Sequence, residues 1–423
     1  MNKTKIFISL MIFMVSCPDM RLTAQIIDYR GEESPAISWN GVSYYDARLL
    51  SLAGISTMAS DAFAGTVNPA LGTGNKKINL SLSLNFLDYE SLQYRGINQG
   101  VIRETSRISD QKLLFSGLAL TIPVSSLTVS AGWLIHNLME FPSFQYAQAY
   151  EQESWVYEGE FQGRENTCYL AIARTFGQAF NVGIKVDYAF GNRDLEINDI
   201  YHFVYLNNPE FNRIKQRENH DLNYLSLSAG AAWNIVPNWT VSAALICPLE
   251  GHVIREVTRE FYSSLTGQRI AISSQEHKNT IFRPMRVHFG TTHEFAVSRK
   301  NAARRLLVAA EAVYSVWSGY WYEFFLETLP RDFKNTLTLA GAIEFGDYKQ
   351  ARDLFFRIGY RFDPQPPREP SANIHNLSGG VGIRLGKISW DFGISYYFCS
   401  VGGYRQNHLV LASTLNVILK RGK

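Results

Sequence analysis

The chain has 423 residues, a formal net charge of +3, 46% hydrophobic residues and 19% charged residues. That near-balance removes the electrostatic case for a nucleic-acid partner, and no block of like charges marks a disordered tail. Of the four cysteines, Cys17 lies in the first residues and Cys168, Cys247 and Cys399 are isolated, so neither metal-ligand spacing nor a complete disulfide framework follows, and no cofactor is expected.

Met1 to Lys5 form a short basic stretch, followed by nearly unbroken apolar residues at 6–15. This is the pattern of a secretory signal peptide over residues 1–24, with Leu22-Thr23-Ala24 as the small-residue exit before Gln25 and export of the Sec type. The apolar run is too short for a helical span, which needs about 20 residues. Met14-Val15-Ser16-Cys17 loosely resembles a lipobox, so processing before Cys17, with a lipid on that cysteine, is the alternative. The roughly 400 residues that follow are long for one soluble domain, yet no linker or composition break divides them, and a single large architecture fits.

Alternation is absent before residue 78 and then dominates. Ile78, Leu80, Leu82, Leu84 and Phe86 alternate with Asn79, Ser81, Ser83 and Asn85, the period of a strand with one greasy and one wet face. The same pattern predicts strands at 78–88, 111–122, 127–137, 166–176, 180–191, 222–235, 239–249, 283–296, 304–317, 334–346, 352–362, 376–385, 388–398 and 408–419. That is fourteen strands, an even number, and residues 253–261 with 268–274 could add a hairpin inside a loop. Short turns such as 177–179 and 386–387 alternate with long polar segments such as 193–221, and runs of this length suit a tilted strand crossing hydrocarbon. No apolar run is long enough for a transmembrane helix, so the predicted fold is all-β, a transmembrane antiparallel barrel.

A soluble sandwich also alternates. Against it, the wet faces carry small residues rather than long charges. Aromatics also gather near strand ends, as at Tyr314, Trp317, Tyr320, Trp321 and Tyr322, or Tyr396, Tyr397 and Phe398, where rings sit at the headgroup level.

Several stretches carry a family resemblance. Residues 46–54 (DARLLSLAG) are followed by Ala59-Ser60-Asp61-Ala62 and Asn68-Pro69-Ala70. Further on stand Tyr314-Ser315-Val316-Trp317-Ser318, the proline-to-glycine stretch 284–290, and Gly359-Tyr360 leading through prolines to Asn373-Ile374-His375 and a closing hairpin. Together they resemble the long-chain fatty acid transporter (FadL-like) family of outer-membrane barrels. The resemblance covers both ends and much of the last third, and the stretch 138–283 carries none of it. The chain also ends without the terminal aromatic of many outer-membrane barrels.

The resemblance implies an N-terminal hatch over residues 25–77 inside a barrel of residues 78–423. It implies a hydrophobic small-molecule ligand, a setting in outer-membrane lipid, and a single barrel as the unit. In that family the ligand leaves sideways through a wall gap made by a kink in the third strand; Pro142, after residues 137–141, and Gly132 are the candidates here, each also readable as a loop start or a packing gap. Asn68-Pro69-Ala70 is either a gate or a turn between hatch and first strand, and Asp61 either bonds hatch to wall or caps a helical turn. Aromatics at Phe141, Phe144, Tyr146, Tyr150, Trp155, Tyr157 and Phe161 fall in expected loops, as a ligand-capturing patch or as loop packing.

Catalytic signatures are missing: there is no G-x-S-x-G and no H-E-x-x-H, and His288 and His293 face opposite sides of one strand. No enzyme is expected. Arg286, Arg357 and Arg384 lie in predicted strands, where pairing with lumen acids such as Glu311 or Glu344 is their expected role; no ligand-binding residue is assigned. The expected function is passive transport of hydrophobic small molecules, fatty acids or similar, across a Gram-negative outer membrane. The alternative is a barrel of the same family serving a bacterial protein-secretion system as shuttle or anchor.

Overall fold

Tight turns force neighbouring runs to pair antiparallel, and in this chain the pairing continues until the last strand meets the first. The computed structural model describes residues 46–59, 62–74, 77–92, 96–98, 101–104, 107–149, 153–177, 179–203, 211–263, 266–281, 284–297, 304–317, 334–349, 352–364, 373–401 and 404–421. The expected signal peptide, with Cys17 and Ala24, and Asp61 lie outside them.

The strands are β1 (Lys77–Leu92), β2 (Gly96–Asn98), β3 (Val101–Glu104), β4 (Arg107–Val124), β5 (Leu127–Ala149), β6 (Glu153–Phe176), β7 (Phe180–Phe203), β8 (Phe211–Val236), β9 (Trp239–Ser263), β10 (Arg269–Ile281), β11 (Met285–Ala296), β12 (Arg304–Val316), β13 (Thr336–Lys349), β14 (Arg352–Pro364), β15 (Asn373–Leu385), β16 (Ile388–Val401) and β17 (Tyr404–Arg421). Setting aside β2, β3 and β10, fourteen strands form a closed barrel, sealed where β1 pairs with β17 from Lys77↔Arg421 to Glu90↔Asn407. Closure removes the unpaired edges that hydrocarbon cannot satisfy. Among the described residues no helix is long and apolar enough to cross a membrane.

Which face is which follows from exposure. On β14, Phe356, Ile358 and Tyr360 are exposed while Phe355, Arg357, Gly359 and Asp363 are buried, and on β1 Ser81, Ser83 and Asn85 are buried while Leu84 is exposed. The greasy face therefore points outward and the wet face inward, the reverse of a soluble sandwich. On β7 the outward row runs Phe180, Val182, Ile184, Val186, Tyr188 and Phe190, then turns polar at Asn192 and Asp194. The apolar band ends there.

Parity corrects part of the aromatic reading. Trp317 and Tyr397 are almost fully buried on the lumen side, Trp317 donating from Nε1 to Thr336 Oγ1 at 3.3 Å, while Tyr396 and Phe398 face out. Adjacent residues of a strand cannot share a face. Cys168 and Cys247 are free thiols on β6 and β9.

The expected long loops are also corrected. β5 to β9 contain 23, 24, 24, 26 and 25 residues, against about 10 needed to cross the hydrocarbon. Their surplus continues as paired sheet on the long-loop side, with β7 and β8 in register out to Ile200↔Arg213 and β9 joined there by β10 from Arg269↔Tyr262 to Ile281↔Gly251. Phe141, Phe144, Tyr146, Trp155, Tyr157 and Phe161 lie on the paired strands β5 and β6, not in loops, and Tyr150 lies outside the described residues.

Cross-strand charges account for the extended pairing. Glu196 on β7 binds Lys215, with Arg217 Nε at 3.0 Å, and Lys215 stands opposite Glu260, which Arg269 approaches at 3.3 Å. Opposite charges on facing strands replace the lipid contact that holds the lower sheet together.

A charge placed in the apolar band tests the boundary. Ile184→Arg should cost about 2–4 kcal/mol in denaturant unfolding from lipid vesicles, and Asn192→Arg close to nothing. The hydrogen bond from Lys215, with the charges of Lys215 and Arg217, holds the Glu196 carboxyl below its ordinary value of 4.5, against a smaller opposing effect of burial. A depressed carboxylate contributes stability above its unfolded pKa and loses it as pH falls through the lower folded value. Amide protection in the upper β7–β8 hairpin, referred to the intrinsic exchange rate at each pH, should therefore fall as pH drops below 4.5, and Glu196→Gln should abolish that dependence.

Candidate functional site

The segment before the first strand folds inside the barrel. Asp46 caps a short helix, α1 (Ala47–Ser51), its carboxylate accepting from Arg48 N at 3.0 Å and Leu49 N at 3.3 Å. The helix ends in a left-handed turn at Ala53 and Gly54, whose N–H returns to the Leu49 carbonyl at 2.8 Å. A 3-10 turn at Ser56–Met58 follows, and a second 3-10 helix spans Pro69–Gly74. α1 packs on β14 to β17, the first turn on β9, β11 and β12, and the second on β5 to β8. One short segment thus touches most of the circumference.

Ionic and polar contacts tie it down. Arg48 reaches Glu344 on β13 at 3.0 Å, and Glu344 also accepts from Arg357 Nε at 2.6 Å, whose Nη1 lies 2.6 Å from Asp391. These side chains are nearly water-free, so each charge needs its partner. Ser56 donates from N at 2.8 Å and from Oγ at 2.6 Å to Glu311 Oε2, while His288 Nδ1 stands 3.2 Å from the other oxygen. A serine, a histidine and an acid meet there, but the hydroxyl is bonded to the carboxylate and not to the imidazole, so His288 is not placed to activate Ser56. Ala47 N donates to Thr414 Oγ1 at 2.8 Å, and Lys185, paired with Asp187 at 2.7 Å, donates to the Thr66 carbonyl.

Asn68, Pro69 and Ala70 are buried against β7 to β9. The Asn68 amide donates to the carbonyls of Ala231 at 3.4 Å and Ala243 at 3.2 Å, and its oxygen accepts from Ala70 N at 3.0 Å. Pro69 begins the second 3-10 helix, where its missing N–H costs nothing.

Sequence reasoning missed the wall residues that receive this segment. A Cβ on Gly183 would stand 2.6 Å from the Pro69 carbonyl carbon, and one on Gly230 would collide with Asn68. Gly290, Gly359, Gly380 and Gly393 likewise lie under Thr57, the Leu52–Ala53 peptide, Ser51 and Ala47. All six are mid-strand and turned inward. Glycine inside a strand is the available signal, since it marks close backbone approach. Gly132 takes another part: it lies in unbroken pairing, Ala119↔Gly132↔Tyr169, and makes room for the Tyr169 ring, 2.6 Å from where its Cβ would be. Of the two readings open for this glycine, kink or packing gap, the geometry fits the packing gap.

The interruption lies further along. β4 and β5 pair only from Val124↔Leu127 to Gly117↔Leu134, and above that point β4 stays with β1 and β5 with β6. Both strands carry an extra residue where they part, Ser116 on β4 and His136 on β5. A bulge bends its strand and breaks the ladder. A second shift on β5, between Phe141 and Phe144, contains Pro142, and β3 meets β5 again at Glu104↔Ala147. Among the described residues no pairing joins β4 to β5 between those limits. Leu113 and Phe115 are exposed on this stretch, which places it within the apolar band.

Residues 47–406 match the profile of the BamG family, most of the length of the chain. The chain belongs to the BamG family. Among solved structures, this BamG-family barrel is similar to the "CymD monoaromatic hydrocarbon channel", with a TM-score of 0.63, 15% identity, and coverage of 90% of this chain and 99% of that one. The Pseudomonas putida toluene transporter TodX gives a TM-score of 0.56 at 12% identity over 91% of this chain and all of the other. The FadL-like outer-membrane barrel expected from the sequence is the fold observed. No curated protein sequence matches the chain.

Gly230→Val should push Asn68 and Pro69 off the wall. Overpacking of this kind costs about 1–3 kcal/mol, and the expected result is earlier protease cleavage near residue 68 with the barrel still migrating as a folded species on unheated gels.

Proposed function

We propose that this barrel is a passive outer-membrane route for hydrophobic small molecules, which enter from the long-loop side, pass beside the N-terminal segment acting as a hatch, and leave sideways between β4 and β5. The observation that carries the reading is the interrupted β4–β5 ladder inside the apolar band. Unpaired backbone at membrane depth is tolerated where it lines a cavity or passage. The descriptions of similar barrels as a hydrocarbon channel and a toluene transporter support the same class of cargo. Uncharged cargo is favoured over a carboxylate, because the inward guanidinium of Arg357 already serves Glu344 and Asp391, and Arg384 serves Asp353 at 3.4 Å. Transport in this reading runs down a gradient and involves no catalytic step.

The projecting sheet of β7 to β10, with its ladder of charges, favours a second reading in which the barrel anchors a partner in protein secretion. Mass spectrometry of the detergent-purified barrel separates the two. The transport reading expects a stoichiometric apolar molecule, displaced by added toluene. An empty lumen together with stoichiometric co-purification of secretion components would overturn it in favour of the anchor.

A further inference from the structure

The N-terminal segment is not held equally on all sides. Toward β11 to β17 its bonds are short and partly ionic: Ser56 to Glu311 at 2.6 Å, Ala47 to Thr414 at 2.8 Å and Arg48 to Glu344 at 3.0 Å. Toward β1, β4 and β6 the bonds made by Ala62 are long: its N–H reaches Ser81 Oγ at 3.3 Å, and its carbonyl accepts from Thr121 at 3.4 Å and Tyr169 at 3.3 Å. What fills this side is apolar. Phe63, fully buried, packs with Leu49, Ala62, Ala119 on β4, Leu134 on β5, and Tyr169 and Ala171 on β6.

The position of that cluster matters. Leu134 belongs to the last β4–β5 pair before the ladder stops, and Ile135, also buried, is the next residue up. On the lipid side of the same rim Phe115 and Trp133 stack at 5.6 Å with their planes 10° apart. The rim of the unpaired stretch is thus apolar on both faces, and Phe63 is the bulky side chain that the N-terminal segment sets against its inner face. Its own turn is compact, with Thr66 N and Oγ1 both donating to the Phe63 carbonyl, at 2.9 and 2.7 Å, and Lys185 fixing the Thr66 carbonyl.

We propose that Phe63 is the selectivity element of the sideways route: with Leu134 and Tyr169 it sets the width of the apolar constriction between lumen and wall opening, and so decides which uncharged molecules leave. This rests on the transport reading above. A larger side chain narrows the constriction and a smaller one widens it, while the ionic anchors on the far side keep the rest of the segment in place.

The test uses the full chain in the outer membrane of cells lacking another hydrocarbon channel, with radiolabelled toluene as probe. Gel migration of unheated samples checks that each variant is folded. Phe63→Ala should speed uptake about tenfold and Phe63→Trp slow it by a similar factor, equivalent to ~1.4 kcal/mol each way, whereas Met58→Leu, on the opposite cluster, should leave it unchanged. In parallel, in a chain with Cys168, Cys247 and Cys399 replaced by serine, Phe63→Cys should react with membrane-dissolved pyrenylmaleimide much faster than Ile55→Cys. Wild-type uptake above background with Ala and Trp variants indistinguishable from it, or equal labelling of the two cysteines, overturns the role of Phe63 and leaves transport standing. No uptake by wild type or any variant overturns the transport reading, and this inference with it.

Discussion

In hydrocarbon a backbone N–H without a partner has no water to turn to, and each one left so costs several kcal/mol. That constraint orders the whole molecule. It demands that β17 return to β1, which it does over fourteen consecutive paired positions of β1. It also makes the stretch where β4 and β5 part company the most informative feature of the wall. The two extra residues at which they separate, Ser116 and His136, stand at the same level, so the parting is built into both strands.

The inward face answers to a different demand. A lumen lined with serine, threonine and charged pairs offers bonding groups to whatever fills it, and the N-terminal segment uses them: Thr414 for the start of α1, Glu344 for Arg48, Glu311 for Ser56, Lys185 for Thr66. Charges this deeply buried are stabilising only as a completed set. The six wall glycines supply the complementary shape, removing side chains where the backbone of the segment comes closest. Chemistry fixes the segment on the β11–β17 side, while on the β4–β6 side it meets the wall mainly through apolar contact.

The barrel was legible in the sequence because its signal is local. Alternation over residues 78–86 requires knowing nothing about the partner strand, and the same holds for each later run. The extended upper sheet was not legible, since residues 193–221 carry charges that read as loop; their pairing depends on Glu196 meeting Lys215 and Arg217 across strands, a relation between segments. Asn68-Pro69-Ala70 was visible as a motif, but its neighbours Gly183 and Gly230 lie more than a hundred residues away. Gly132 stood open between a kink and a packing gap for the same reason: a glycine in a strand announces close approach without saying to what, and what lies there is the Tyr169 ring. Pro142 marked a true irregularity in β5, though the ladder parts earlier, at bulges formed by ordinary residues.

The order in which these contacts become possible has a consequence for assembly. Ala47 is bonded to Thr414, 367 positions later, and α1 rests on β14 to β17, the last strands to emerge. The seam at β1 also needs β17, and the segment enters the lumen directly beside it, as the residues preceding β1. The part of the chain made first therefore gains these contacts only when the part made last is in place. Contacts this distant in sequence are slow to form. The N-terminal segment thus acts as a mandrel around which the final strands are wrapped, and the six glycines are its imprint in the wall.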